Sequence, residues 1–387
     1  MHLKYLKIVF FVSLLLFSSG ARADGVSILR DAETESYLKS LTAPVLVAAG
    51  FNPADVNVVI LHDDEVNAFV AGGQNIFINT GLLLKVENPE EILGVIAHET
   101  GHMSAAHVIS QARDLKNASA QMALATVLGT VVGLKSANPD AAIAIMGGGQ
   151  QVAMRNFLTF SRTNEASADQ ASLSFLEKAK MSPRGMVSFL QKLQNQELLP
   201  ESRQDEYVRT HPLTSDRIET VKNRAEKSPY FKNSLDAKFY TEFAMITAKL
   251  NGYLNPDYAL RFYNNKTELP ALYALSQAYF RKSETTKALA LLDKLIVSDV
   301  DNPYFYEAKG QVLFVAGELD KSIEAYKQAL KIAPYPLIRV ALAQGFLERA
   351  KDNDLQQAIE QLELAKTGEK DSPDLYRMLA TAYGKLK

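Results

Sequence analysis

The sequence predicts a mainly α-helical protein with one small β-sheet near its N-terminus and a helical solenoid at its C-terminus. Three observations lead there. Short β-branched runs are confined to residues 56–79, the apolar spacing from Pro89 onward is almost wholly helical, and the last third of the chain repeats with a period of about 34 residues. With 387 residues, 47% hydrophobic and 22% charged, the chain has material for two domains, each with a core. A net charge of -2 offers no basic field to a phosphate backbone, which argues against nucleic-acid binding.

The first 23 residues stand apart from the rest. Lys4 and Lys7 precede an apolar run from Ile8 to Phe17, and Ala21 and Ala23 place small side chains where a signal peptidase would cut, before Asp24. The run is about half as long as the roughly 20 residues a bilayer-spanning helix needs. Residues 1–23 are therefore expected to be a cleaved signal that exports the chain, to the periplasm or out of the cell. The absence of cysteine rules out a disulfide framework, a thiolate metal site and a lipid-bearing cysteine.

Residues 29–50 have the pattern of one amphipathic helix. Val56–Leu61, Asn67–Val70 and Gln74–Asn79 read as short strands, with Gly72-Gly73 as a turn, and predict a small antiparallel sheet. Asn88 then offers an N-cap, Pro89 suits the first helical position, and Glu90 and Glu91 favour the positive end of the helix dipole. Residues 118–134 are rich in alanine, valine and glycine, and are expected to be a helix packed in the domain or a candidate for peripheral membrane contact. After Gly147-Gly148-Gly149, read as a flexible break, another helix is expected from about Gln150 to Lys180. A polar stretch, Glu197–Thr210, leads to His211-Pro212. The first domain, residues 24–228, is expected to close near Ser228-Pro229.

Residues 229–387 carry the repeats. Ala288, Leu292 and Leu295 recur as Ser322, Tyr326 and Ala329, and again as Ala358, Leu362 and Ala365 after a small insertion. Asn302-Pro303 recurs as Ser372-Pro373, and Pro334 supplies a helix stop. This is the tetratricopeptide period, whose helix pairs stack into a solenoid with a concave binding surface.

The chemistry concentrates in His98-Glu99-Thr100-Gly101-His102. On a helix the two histidines stand roughly 40° apart on one face and can reach one ion, while Glu99 points close enough to hold a water beside it. His107 does not stand where a directly following third ligand would, and is read as a residue supporting the site or the helix end. Glu165 and Asp169 share a face of the later helix. Glu165 would complete two histidines and a carboxylate with a fourth position open to water, as catalytic zinc requires, and Asp169 could fix the tautomer of a ligand imidazole.

His98-Glu99-x-x-His102, Asn164-Glu165-x-x-Ala168-Asp169 and His211-Pro212 together resemble the gluzincin family of the CAAX-prenyl endopeptidases and their soluble bacterial relatives. The resemblance implies a zincin-like metallopeptidase domain with one Zn2+ on His98, His102 and Glu165, and Glu99 as general base. It implies that Asn67-Ala68-Phe69 lies on an edge strand that receives substrate backbone. It also implies misassembled outer-membrane proteins as clients, with the outer-membrane barrel assembly machinery as a partner reached through the repeats. His211, held by Pro212 and Arg217, is open to two roles, oxyanion donor or a resting-state fourth ligand, beside a purely structural His-Pro turn. A binding protein whose repeats hold unfolded clients, with proteolysis secondary, is the rival class.

Overall fold

In the computed structural model the described residues are 27–106, 116, 119–123, 126 and 161–386, without Asp352 and Asp371. The expected leader, His107, most of 118–134 and the glycines 147–149 lie outside them.

The described residues open with a strand that the sequence did not predict, β1, Ser27–Leu29, whose last residue falls in the expected helix. Helix α1, Ala32–Ala48, follows, its N-terminus capped by Asp31, whose carboxylate accepts the Thr34 N–H at 2.7 Å. Strands β2 (Asn57–His62), β3 (Ala68–Ala71) and β4 (Asn75–Asn79) complete a sheet of order β1-β2-β4-β3. The expected antiparallel sheet is corrected to a mixed one. β3 and β4 form the antiparallel hairpin, turning at Gly72 and Gly73 with φ of 60° and 96°, but β2 pairs with β4 in parallel. The reason lies in burial. β4 carries Ile76 and Ile78, both fully buried, and takes a central position between β2 and β3, leaving β3 on the rim.

A short helix, α2 (Thr80–Lys85), leads into α3 (Pro89–Ser104). The α3 N-terminus is built as its sequence suggests: Asn88 Oδ1 accepts the Glu91 N–H at 3.0 Å and Pro89 occupies the first turn. Every residue from Pro89 to His102 is buried, so α3 is a core helix. Its Leu93, Ile96 and Ala97 pack in one apolar core with Leu38, Leu41 and Val45 of α1. Each such buried leucine or isoleucine contributes about 1.5–3 kcal/mol. A helix over residues 161–178, here α4, and α5 (Arg184–Leu193) follow. α5 is tied to α3 through buried Glu91, which receives Lys192 Nζ at 2.9 Å and Ser188 Oγ at 2.7 Å. Two single turns of 3-10 helix, α6 (Glu206–Thr210) and α7 (Ser215–Glu226) bring the chain to residue 228.

Beyond it lie α8 (Ala237–Leu254), α9 (Pro256–Phe262), α10 (Leu269–Arg281), α11 (Thr285–Ser298), α12 (Pro303–Val315), α13 (Leu319–Ile332), α14 (Pro336–Arg349), α15 (Asp354–Ala365) and α16 (Pro373–Leu386). From α10 onward these are the paired helices of a tetratricopeptide solenoid. Ala288, Leu292 and Leu295 pack beneath Tyr273 and Phe305, and the corresponding Ala358, Leu362 and Ala365 pack beneath Phe346 and Leu375. α8 serves both halves, burying Phe243, Ile246 and Leu250 in the first core and Met245 in the second.

A candidate metal centre between two helices

Helix geometry and one glycine bring the site together. His98 and His102 occupy one face of α3, and Gly101 between them lets α4 approach so closely that a Cβ there would lie 2.6 Å from the Ala168 carbonyl oxygen. This contact puts Glu165 opposite the histidines. The two imidazole Nε2 atoms are 3.0 Å apart, and Glu165 reaches both, with Oε2 3.4 Å from His98 and Oε1 3.3 Å from His102. His211, at the end of α6, closes the group with Nδ1 3.2 Å from Glu165 Oε1. All four residues are buried, and their ligand atoms lie within 4.8 Å of one another.

A layer behind the ligands fixes them. Asp169, one turn after Glu165, brings its Oδ1 to 2.9 Å from His98 Nδ1, which leaves Nε2 facing the centre. Arg217 of α7 grips Asp169 through Nε at 2.6 Å and Nη2 at 2.9 Å, and reaches Glu165 Oε2 with Nη1 at 2.9 Å. The same Nη1 donates to the Pro212 carbonyl at 3.1 Å, which pins the His-Pro turn. One guanidinium thus orients a ligand, its support and the fourth residue. The sequence reading did not single out Tyr207. It is buried four residues before His211 on the same short helix, and its ring lies 4.5 Å from the imidazole.

The electrostatics favour a cation. Burial pulls His98 down, yet hydrogen bonds to Asp169 and Glu165 outweigh it and push the imidazole up to about 9. Burial dominates at His102, only partly offset by Glu165, and lowers it to about 4, so it stays neutral as a ligand must. Burial would raise Glu165, but His211, His102 and His98 hold it well below the usual carboxylate range. Asp169 is likewise lowered, with Arg217 and His98 overcoming desolvation. Glu99 goes the other way: burial raises it, partly countered by His211 and His98. Glu99 Oε1 and His211 Nε2 are buried without a hydrogen-bond partner and lie 3.6 Å apart, so two polar atoms are aimed into the same space. This donor set fits one divalent cation.

Asn67, Ala68 and Phe69 lie at and just before an edge of the sheet. β3 is an edge strand, with Phe69 stacked on Phe77 at 5.0 Å. Asn67, just before it, is buried, and its carbonyl accepts the Asn79 N–H at 3.0 Å. The neighbouring Val66 carbonyl accepts the Tyr207 N–H at 2.9 Å, so α6 is fastened to the start of this strand.

A model of peptidase family M48 matches residues 32–225, half of the chain and the whole of this site. The chain belongs to that family. The M48 chain is 23% identical over 362 residues to the beta-barrel assembly-enhancing protease of Escherichia coli, an alignment that covers 92% of this chain and 73% of the relative. The metalloprotease LoiP of the same organism is 25% identical over 201 residues, 52% of this chain and 75% of the relative. The mitochondrial metalloendopeptidase OMA1 of Schizosaccharomyces pombe is 23% identical over 191 residues, 49% of this chain and 52% of the relative. Among solved structures, a thermophilic tetratricopeptide-repeat protein of Thermus thermophilus matches 43% of this chain and 90% of its own at 24% identity, with a TM-score of 0.32. The M48 chain is a metalloprotease, with proteins as its substrate class. No helix among the described residues is long and apolar enough to cross a membrane.

Proposed function

We infer that this protein is a periplasmic zinc endopeptidase that degrades misassembled outer-membrane β-barrel proteins and assists their assembly, its repeats contacting the barrel assembly machinery. The observation that carries the reading is the buried set His98, His102 and Glu165 with Glu99 beside it, in a chain whose other half is built of paired repeat helices. Two imidazoles and a carboxylate are the donor set of a catalytic zinc site. Zinc bound there would supply Lewis acidity to a peptide carbonyl and acidify a water. Glu99, raised by burial, accepts that proton and returns it to the leaving amine. Asp169 and Arg217 hold the ligands in register. The substrate backbone pairs along the outer edge of β3, near Ala68 and Phe69.

His211 acts in this reading as a resting-state ligand. A ring nitrogen of His211 already stands among the candidate ligand atoms, and the His-Pro turn that carries it is held by Arg217. His211→Ala is expected to raise basal proteolysis; a fall would assign it to oxyanion stabilisation instead.

The decisive test is Glu99→Gln, with metal analysis and casein digestion of the purified mature chain, with and without chelator. The variant should retain zinc and lose cleavage. A variant that keeps zinc, loses cleavage and still performs the whole cellular task would make the protein a client-holding adaptor, in which proteolysis is secondary.

A further inference from the structure

The N-terminal turn of α1 reaches across to the repeats. Ala32, in the first turn of α1, is buried among Ile323, Tyr326 and Ile338 of the solenoid rather than in the core of its own domain. Around it the contacts are ionic. Lys249 Nζ of α8 lies 2.5 Å from Asp31 Oδ2 and 3.1 Å from Glu33 Oε2, and Tyr273 Oη of α10 donates to the same Glu33 oxygen at 2.9 Å. Arg30 bridges Glu35 and, beyond α15, Glu369, each at 2.8 Å. Lys249 and Tyr273 come from the packed neighbours α8 and α10, whereas Glu369 follows α15, so the start of α1 meets two places far apart in the repeat sequence.

The balance of charge at this junction is uneven. Asp31, Glu33 and Glu307 of α12 are three carboxylates about the single ammonium of Lys249, and Glu307 Oε2 is buried without a hydrogen-bond partner. We propose that Asp31 and Glu33 latch the repeats onto the peptidase domain through Lys249 and Tyr273, and that a negative charge on Glu307 releases the latch. A carboxylate added to a buried cluster already in acidic excess has no free cation to pair with, and parting the two surfaces lets water solvate it. This goes beyond the peptidase reading and does not depend on it.

The sign follows from the surroundings. Burial pushes Glu307 up to about 8, against the pull of Lys249 and with the push of Asp31, Glu33 and Glu35. The closed form therefore holds the Glu307 proton more tightly than the open form, and closure weakens as pH rises from about 4.5 towards 8. Lys249 stays charged throughout, since Asp31 and Glu33 outweigh its burial, and Tyr273 and Tyr326 are raised by burial and stay neutral. Glu33, also raised by burial, would act with the same sign.

The chain has no cysteine, so a pair of spin labels can be placed without background, at Ile28→Cys and Tyr376→Cys, both exposed. Distance distributions on the metal-loaded, full-length protein between about pH 6 and pH 9 read the latch directly. A single narrow distance at low pH should give way to a longer, broader fraction as pH rises. Glu307→Gln should open clearly less than the parent as pH rises, and Lys249→Met should populate the open form even at low pH. An unchanged distribution in the parent across this range overturns the proposal without recourse to any variant. Opening of Glu307→Gln in parallel with the parent overturns it equally, by moving the response to another group.

Discussion

Replacing Asp169 with asparagine separates the support of the metal site from its ligands. Asp169 is almost fully buried, and both its oxygens are in use: Oδ1 accepts from Arg217 Nη2 at 2.9 Å and lies 2.9 Å from His98 Nδ1, and Oδ2 accepts from Arg217 Nε at 2.6 Å. An amide of the same shape keeps one acceptor and turns the other into a donor, so one N–H must face another. It also removes the charge that raises His98 and balances Arg217. Loss of such an outer contact typically lowers metal affinity about 10- to 100-fold, or roughly 1.4–2.7 kcal/mol. Breaking a buried pair by removing one partner costs about 3–5 kcal/mol of stability, and the lower end applies because Arg217 keeps Glu165. The assay is competition for Zn2+ between the protein and a chromogenic chelator, with thermal unfolding of the metal-free form alongside. A folded Asp169→Asn protein that binds zinc within about twofold of the parent would refute the assigned role, since the expected loss is at least about tenfold.

The metal-free protein should be most stable near pH 6.5. His102, lowered to about 4, contributes stability that is present above 6.5 and lost as pH falls towards 4. His98, raised to about 9, contributes stability that is present below 6.5 and lost as pH rises towards 9. Melting temperatures after chelation should therefore fall on both sides, and added zinc should flatten the alkaline limb; a chelated protein with a pH-independent melting temperature would contradict the assignment. Gly101→Ala should cost about 1–3 kcal/mol by overpacking against Ala168 and should weaken zinc binding by displacing Glu165. Denaturant melts and the chelator competition test both parts. Asn88→Ala should cost about 1 kcal/mol through loss of the α3 cap while leaving zinc affinity unchanged, and so serves as the control.

How legible each feature was in the sequence depends on how local its cause is. The shared face of His98 and His102, the pairing of Glu165 with Asp169 and the Asn88 cap follow from residues within one or two helical turns, and the site inherits them directly. The repeats were legible because each unit must bury the same face. Strand direction was not. β2 runs parallel to β4 because of which strand the core makes central, a decision taken by Ile76 and Ile78 together with the helices packed on them. Tyr207 against His211 was within reach at four residues' spacing, but a tyrosine in a polar stretch carries no mark of burial. The engagement of Glu33 by Lys249 and Tyr273 joins residues more than 200 positions apart, and no spacing rule reaches that far.

The separation of the ligands along the chain has a thermodynamic side. His102 and Glu165 bracket a loop of about sixty residues, and an ion gripped at both ends removes the entropy of that open loop from the unfolded chain, a saving that grows only slowly with loop length. In a protein without cysteine, the centre thus doubles as a reversible crosslink. Starvation for the ion would then loosen the polypeptide as well as silence it.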